Sequence, residues 1–138
     1  PSPGVRKLAE LPGVTVTGSV PDVRPYVWRS ALTVAPLNIA RGTQNKILEA
    51  MAMGVPVVTS SIAAGGGDAE DEAHFLVADT PDDYARAILR ILSSPDERQR
   101  LSHAGRERML SHHTWERAMA RLDGVIERCV TRFRGRHG

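Results

Sequence analysis

Two apolar runs constrain the fold more than any other feature of the chain. "ALTVAPL" (31–37) and "VPVVTS" (55–60) are nearly continuous hydrophobic stretches, and between them lie a polar loop, "NIARG", and a segment of helical character, "TQNKILEAMAM". A strand with one wet face alternates apolar and polar residues, whereas a strand covered on both faces reads as an unbroken apolar run. Two such strands joined by a helix form a βαβ unit, which requires a parallel sheet with helices on both faces. The connecting helix is expected over 43–53, with Gly54 as its stop.

The rest of the chain extends this pattern. "VTVT" (14–17), closed by Gly18, is β-branched and predicts a further strand. A helix is expected from Asp22, with Pro25 in its first turn and Val23, Tyr26 and Val27 at helical spacing. A loop with three glycines and four acids precedes a short strand, "HFLVA" (74–78). Thr80 then caps a helix that has Pro81 at its first position and Tyr84, Ala87, Ile88 and Ile91 on one face. Ser94 to Glu97 spell a capping box for another helix, which carries Leu101, Ala104 and Met109. From Thr114 a last helix aligns Trp115, Met119, Leu122, Ile126, Cys129 and Phe133, a stripe that calls for burial. The fold class is therefore α/β, a Rossmann-like parallel sheet flanked by helices. Residues 1–112 are expected to form that unit, and 113–138 an amphipathic helix with a basic tail. The opening "PSPGVRKLAELPG" reads as a helix and its exit with no strand ahead of it, so a first strand is expected to be missing and the chain to be a piece of a longer protein.

Composition narrows the function classes. At 138 residues, with 41% apolar and 25% charged side chains, the chain can bury a core of ordinary size. One cysteine, Cys129, makes no internal disulfide, and no His or Cys cluster has metal-ligand spacing, so no metal is expected. His112 and His113 are adjacent and fall on different sides of a helix, as befits a cap or surface feature. A net charge of +2, with arginines dispersed along helices, argues against nucleic acid as a partner. No run approaches the ~20 apolar residues of a membrane span, and the start lacks the build of a signal peptide, so a cytoplasmic location is expected.

In a parallel sheet of this kind ligands sit beyond the carboxyl ends of the strands, here the loops 18–21, 36–44 and 59–68. The helix beginning near 43 presents its first N–H groups, at Thr43, Gln44 and Asn45, toward that edge, and Gly42 allows close approach to the backbone. Those donors and the positive end of the helix dipole suit a pyrophosphate. Lys46, one of only two lysines, adds positive charge one turn in. Glu49 shares a face with Asn45 and Lys46, and two readings stand side by side. Its carboxylate can accept the two hydroxyls of a ribose diol, or it can pair with Lys46 on a solvated surface for ~0.3–0.5 kcal/mol. The glycines of "AAGGGD" (63–68) are equally consistent with a plain flexible connection.

"GTQNKILEAMAMGVPVVTS" resembles the signature of the retaining nucleotide-sugar glycosyltransferases of family four, glycosyl transferases group 1, whose GT-B architecture pairs two Rossmann-like domains. "VTVTGSVPDVRPYVWRSALTVAPL" is similar to the segment before that signature, and "DTPDDYARAILRILSSPDERQRLSHAGRERMLSHHTWERAMARLD" to the closing helices, so nearly the whole chain takes part. "IARG-QNK-LEAMAM" is most similar to the subgroup linked to exopolysaccharide and exosortase systems. The resemblance implies that Glu49, matching the second glutamate of the family motif, holds the nucleotide ribose. It also implies that the turn "GSVP" (18–21) meets the base, with Val20 a backbone contact, although a plain strand-ending turn accounts for the same residues. The family's first glutamate falls at Arg41, so the usual acid contact to the donor sugar does not carry over. Arg41 suits an acidic sugar, the diphosphate, or bare solvent.

The expected function is that of a C-terminal, donor-binding domain of a glycosyltransferase, moving a sugar from a nucleoside-diphosphate sugar to a polysaccharide or lipid-linked acceptor. No cofactor is expected beyond that donor. The implied partners are the nucleotide-sugar and the missing N-terminal acceptor domain, without which the piece should not be active. The basic ending "RFRGRHG" is compatible with peripheral contact at the inner face of a membrane. Two alternatives stay open: a sugar-nucleotide epimerase-like enzyme and a non-catalytic nucleotide-binding module. A dehydrogenase is disfavoured because no Gly-x-Gly-x-x-Gly follows a strand.

Overall fold

The computed structural model describes residues 1–40, 42, 44–65 and 69–136, with side chains through residue 133. Helices α1 (Pro3–Lys7), α2 (Arg24–Trp28), α3 (Asn45–Ala52), α4 (Ser61–Ala64), α5 (Pro81–Ser93), α6 (Pro95–His112) and α7 (Trp115–Arg136) surround strands β1 (Thr33–Ala35), β2 (Val57–Thr59) and β3 (Leu76–Val77). The strands form one parallel sheet in the order β1-β2-β3, with Thr33 opposite Val57 and Val58 opposite Leu76. This is the Rossmann-like α/β arrangement that the two apolar runs require.

β2 is central and wholly buried, and its residues divide by period two. Val57 joins Ile47, Ala50 and Met51 of α3, together with Ala35, Phe75 and Met109. Val58 points the other way, into Leu76, Ala78, Ile91 and Leu101. Enclosing each such aliphatic side chain stabilises the fold by about 1.5–3 kcal/mol. Helix α6 serves both clusters, Leu101 on one and Met109 on the other, and so clamps α3 against the sheet.

Gly54 ends α3 as expected. Its φ of +72° places it in the left-handed region, its N–H donates to the Met51 carbonyl (2.9 Å), and the Val55 N–H donates to Ala50 (2.9 Å). That pair of bonds is the Schellman arrangement, which turns the chain directly into β2. Thr80 and Asp83 form a complete reciprocal cap on α5. At α6 only half of the expected capping box is made: Ser94 accepts from the Glu97 N–H, but the Glu97 carboxylate is taken by Arg90 and Arg100.

Several expectations are corrected. Residues 14–17 form no strand, because no neighbouring strand among the described residues accepts their backbone bonds and β1 is an edge of the sheet. The helix expected from Asp22 begins at Arg24 and lasts five residues. Asp22 instead accepts the Arg24 N–H (2.9 Å) and pairs with its guanidinium, and only Val27 packs on the core. Patterning does not predict α4, whose first N–H, at Ser61, is held by the Asp79 carboxylate (2.9 Å), a contact distant in sequence. The apolar stripe of α7 stays exposed, with Trp115 at 79% and Phe133 at 65% of full accessibility. Among the described residues no helix is long and apolar enough to cross a membrane.

Candidate functional site

At the carboxyl edge of the sheet two hydroxyls tie neighbouring loops together. Thr59 Oγ1 donates to the Ala35 carbonyl (3.2 Å) and Ser60 Oγ to the Leu37 carbonyl (2.7 Å), fixing the exit of β1 to that of β2. The chain then passes Gly42, where φ is +64° and an added Cβ would meet open space, and enters α3 at Asn45. Gln44 stands at the cap position without capping by its side chain; its amide Nε2 donates back to the Gly42 carbonyl (3.2 Å).

The first bonds of α3 run from the Ile47 and Leu48 N–H groups to the Gln44 carbonyl (2.9 and 3.3 Å). The N–H groups of Asn45 and Lys46 therefore precede the helical ladder, at the positive end of a helix with no acid in its first turn. Asn45 and Lys46 are exposed and Gln44 half-buried, so the tip is accessible. Arg41 and Thr43, also expected at the site, lie outside the described residues.

Glu49 is exposed one turn beyond Asn45, and among the described residues no ion pair joins it to Lys46. The surface-pair reading of Glu49 is therefore not what the structure forms. Glu49 instead lines a cavity of about 480 Å³ between α3, which contributes Leu48 and Ala52, and the corner joining α6 to α7, which contributes Met109, His113, Trp115 and Arg121. Val20 lies half-buried in its turn and is not among the residues of that cavity. His113 caps α6, its N–H donating to the Met109 carbonyl (2.9 Å). Sequence reasoning assigned Trp115 to packing and gave Arg121 no role; "HHTWER" carries no local signal that this corner folds over α3. Among the described residues no group of three or more His, Cys, Asp or Glu side chains could hold a metal ion.

An open helix tip with a carboxylate one turn deeper suits a phosphorylated nucleoside, and comparison with known proteins agrees. Residues 2–94 match the model of the family described as glycosyl transferases group 1. The chain belongs to that family. Among curated relatives, the group 1 chain is 28% identical over 112 residues to a frog (Xenopus tropicalis) protein named glycosyltransferase 1 domain-containing protein 1, covering 80% of this chain and 32% of that protein. It is 33% identical over 84 residues to spore coat protein SA of Bacillus subtilis, covering 58% of this chain and 22% of the relative. This group 1 glycosyltransferase chain thus spans about a third or less of the curated relatives it matches.

Proposed function

We propose that this chain is the donor-binding domain of a retaining, metal-independent glycosyltransferase that uses a nucleoside-diphosphate sugar and works with a second, acceptor-binding domain. The N–H groups at the tip of α3, with Gly42 and Lys46, hold the diphosphate. By their place in the sequence Arg41, Thr43, Gln44 and Asn45 belong to the same phosphate segment. Glu49 accepts the ribose hydroxyls and sets the angle at which the sugar leaves.

The chemistry follows from charge. As the bond between sugar and diphosphate breaks, negative charge grows on the departing phosphate oxygens, and preorganised N–H donors and a lysine stabilise it more than they stabilise the bound donor. The sugar is passed to a polysaccharide or lipid-linked acceptor on the cytoplasmic side. The run Arg128, Arg132, Arg134 and Arg136 near the end of the chain suits an anionic membrane where such acceptors reside. The observation that carries this reading is Glu49, unpaired with Lys46 and opening on a cavity one turn below an accessible helix tip.

Thermal-shift measurements with UDP, GDP and ADP, and with their sugars, test it. A nucleotide that binds the folded chain raises the melting temperature, and the shift should shrink in Glu49→Ala. Equal shifts in both proteins would remove Glu49 from the site. A second reading, a non-catalytic nucleotide-binding module, is favoured by Arg41 standing where the family motif has an acid. Binding without transfer in a longer protein supplied with its acceptor would support it.

A further inference from the structure

The cavity beside Glu49 has a composition unlike that of a phosphate site. Leu48, Ala52 and Met109 make its walls largely apolar, and Trp115 presents an indole that is 79% exposed across from the carboxylate. Small-molecule sites have this make-up, apolar and aromatic walls with a few placed polar groups, in volumes of roughly 300–1,000 Å³.

Distances along α3 relate this cavity to the helix tip. At 1.5 Å per residue, Glu49 lies about 6 Å beyond Asn45 and Ala52 about 4.5 Å farther. A nucleoside diphosphate laid along that face would meet three environments in order: unpaired N–H donors, a carboxylate, then an apolar recess with an open aromatic surface. Diphosphate, ribose and base call for those three in that sequence.

We infer that the Glu49 cavity is the nucleoside subsite and that the Trp115 indole is the surface on which the base stacks. This rests on the donor-binding reading and adds to it the start of α7 as part of the donor site. It places the base against Trp115 and not at Val20. The indole offers a π-face to any base, so Trp115 supplies affinity and leaves base choice to the polar rim.

Trp28 and Trp115 are the two tryptophans of the chain, so Trp28→Phe leaves Trp115 as the sole indole reporter. In the full 138-residue chain carrying that change, UDP, GDP or ADP should quench the fluorescence saturably and inorganic pyrophosphate should not. By calorimetry, Trp115→Ala should weaken nucleoside-diphosphate binding about 5- to 100-fold. Pyrophosphate affinity should be unchanged and Trp115→Phe should retain most of the binding. Nucleotide binding with neither quenching nor a Trp115→Ala effect would overturn the subsite while leaving the donor reading in place. An equal loss of pyrophosphate binding in Trp115→Ala would make Trp115 a structural residue and also overturn it. No binding of any nucleoside diphosphate would defeat both.

Discussion

Ser102 of α6 donates its hydroxyl to the carbonyl of Gly54 at 2.6 Å, tying the end of α3 to the helix packed across it. Arg106 reinforces the link through the Ala52 carbonyl (2.9 Å). These side chains satisfy carbonyls that the end of α3 leaves unpaired, and they set the position of the helix that carries Glu49. Ser102→Ala should cost about 1 kcal/mol in urea denaturation. Gly54→Ala should cost about 1–2 kcal/mol from its positive φ, and more because the new Cβ would lie 3.3 Å from Ser102 Oγ. The double variant should therefore lose less than the sum of the two single losses, and strict additivity would show that the close approach carries no energy.

Gly105 marks where α6 comes nearest to the sheet side of α3. A Cβ there would sit 3.3 Å from the His74 carbonyl oxygen and 3.5 Å from Met51 Cγ, at a buried position. Gly105→Ala is expected to destabilise by about 1–3 kcal/mol through overpacking, and Gly105→Val by more. A melting temperature for Gly105→Ala at or above that of the parent would contradict the tight fit.

Glu97 is the acid-sensitive point of the α5–α6 junction. The Arg100 guanidinium holds it in two bonds (2.7 and 2.8 Å), Arg90 adds a third contact (2.6 Å), and its carboxyl is lowered to about 2 from the ordinary 4.5. A carboxylate with a depressed folded-state pKa contributes stability that is complete above its unfolded pKa and lost as pH falls through the folded one. The advantage of the parent over Glu97→Gln should therefore be full at pH 6, decline below about 4.5, and vanish near 2. Melting temperatures measured across that range would show it, and a gap that does not change with pH would exclude this linkage.

Thr80 accepts the Asp83 N–H (3.2 Å) while the Asp83 carboxylate accepts the Thr80 N–H (3.1 Å). Thr80→Ala should cost about 1 kcal/mol, and Thr80→Ser should recover most of it. Loss of the cap should fray the start of α5, visible as faster amide exchange at Asp82 and Asp83.

At the site, Glu49→Ala and Lys46→Met should separate two parts of the ligand. Losing hydrogen bonds to a charged acceptor, worth about 1.5–3 kcal/mol, predicts that Glu49→Ala weakens a nucleoside diphosphate about 10- to 100-fold and leaves pyrophosphate unaffected. Lys46→Met should weaken both ligands and flatten the salt dependence of binding. Identical losses in the two variants would argue against separate ribose and phosphate contacts.

Much of this was legible in the chain before folding. The unbroken apolar runs at 31–37 and 55–60 could be satisfied only by strands covered on both faces, and Gly54 could only end the helix between them. Glu49 and the helix tip stood out because their chemistry depends on spacing within a single helix, which residue order preserves. The "VTVT" run misled because β-branched alternation states a preference, whereas a strand exists only where a neighbour takes its hydrogen bonds. The capping box at Ser94 was half legible for a related reason: two arginines, Arg90 one helix back and Arg100 a turn ahead, compete for its glutamate.

Residue order alone determined the local matters: helix stops, caps, the apolar period of each strand, and the placing of Glu49 one turn past an anion-ready tip. Tertiary structure alone decided which distant groups share a surface. It set the α6–α7 corner over α3, brought Trp115 into the cavity of Glu49, and gave Asp79 to the start of α4. Periodicity reports which side of an element is apolar, but not what lies across from it. That depends on how separate elements pack to exclude water, a property of the whole chain.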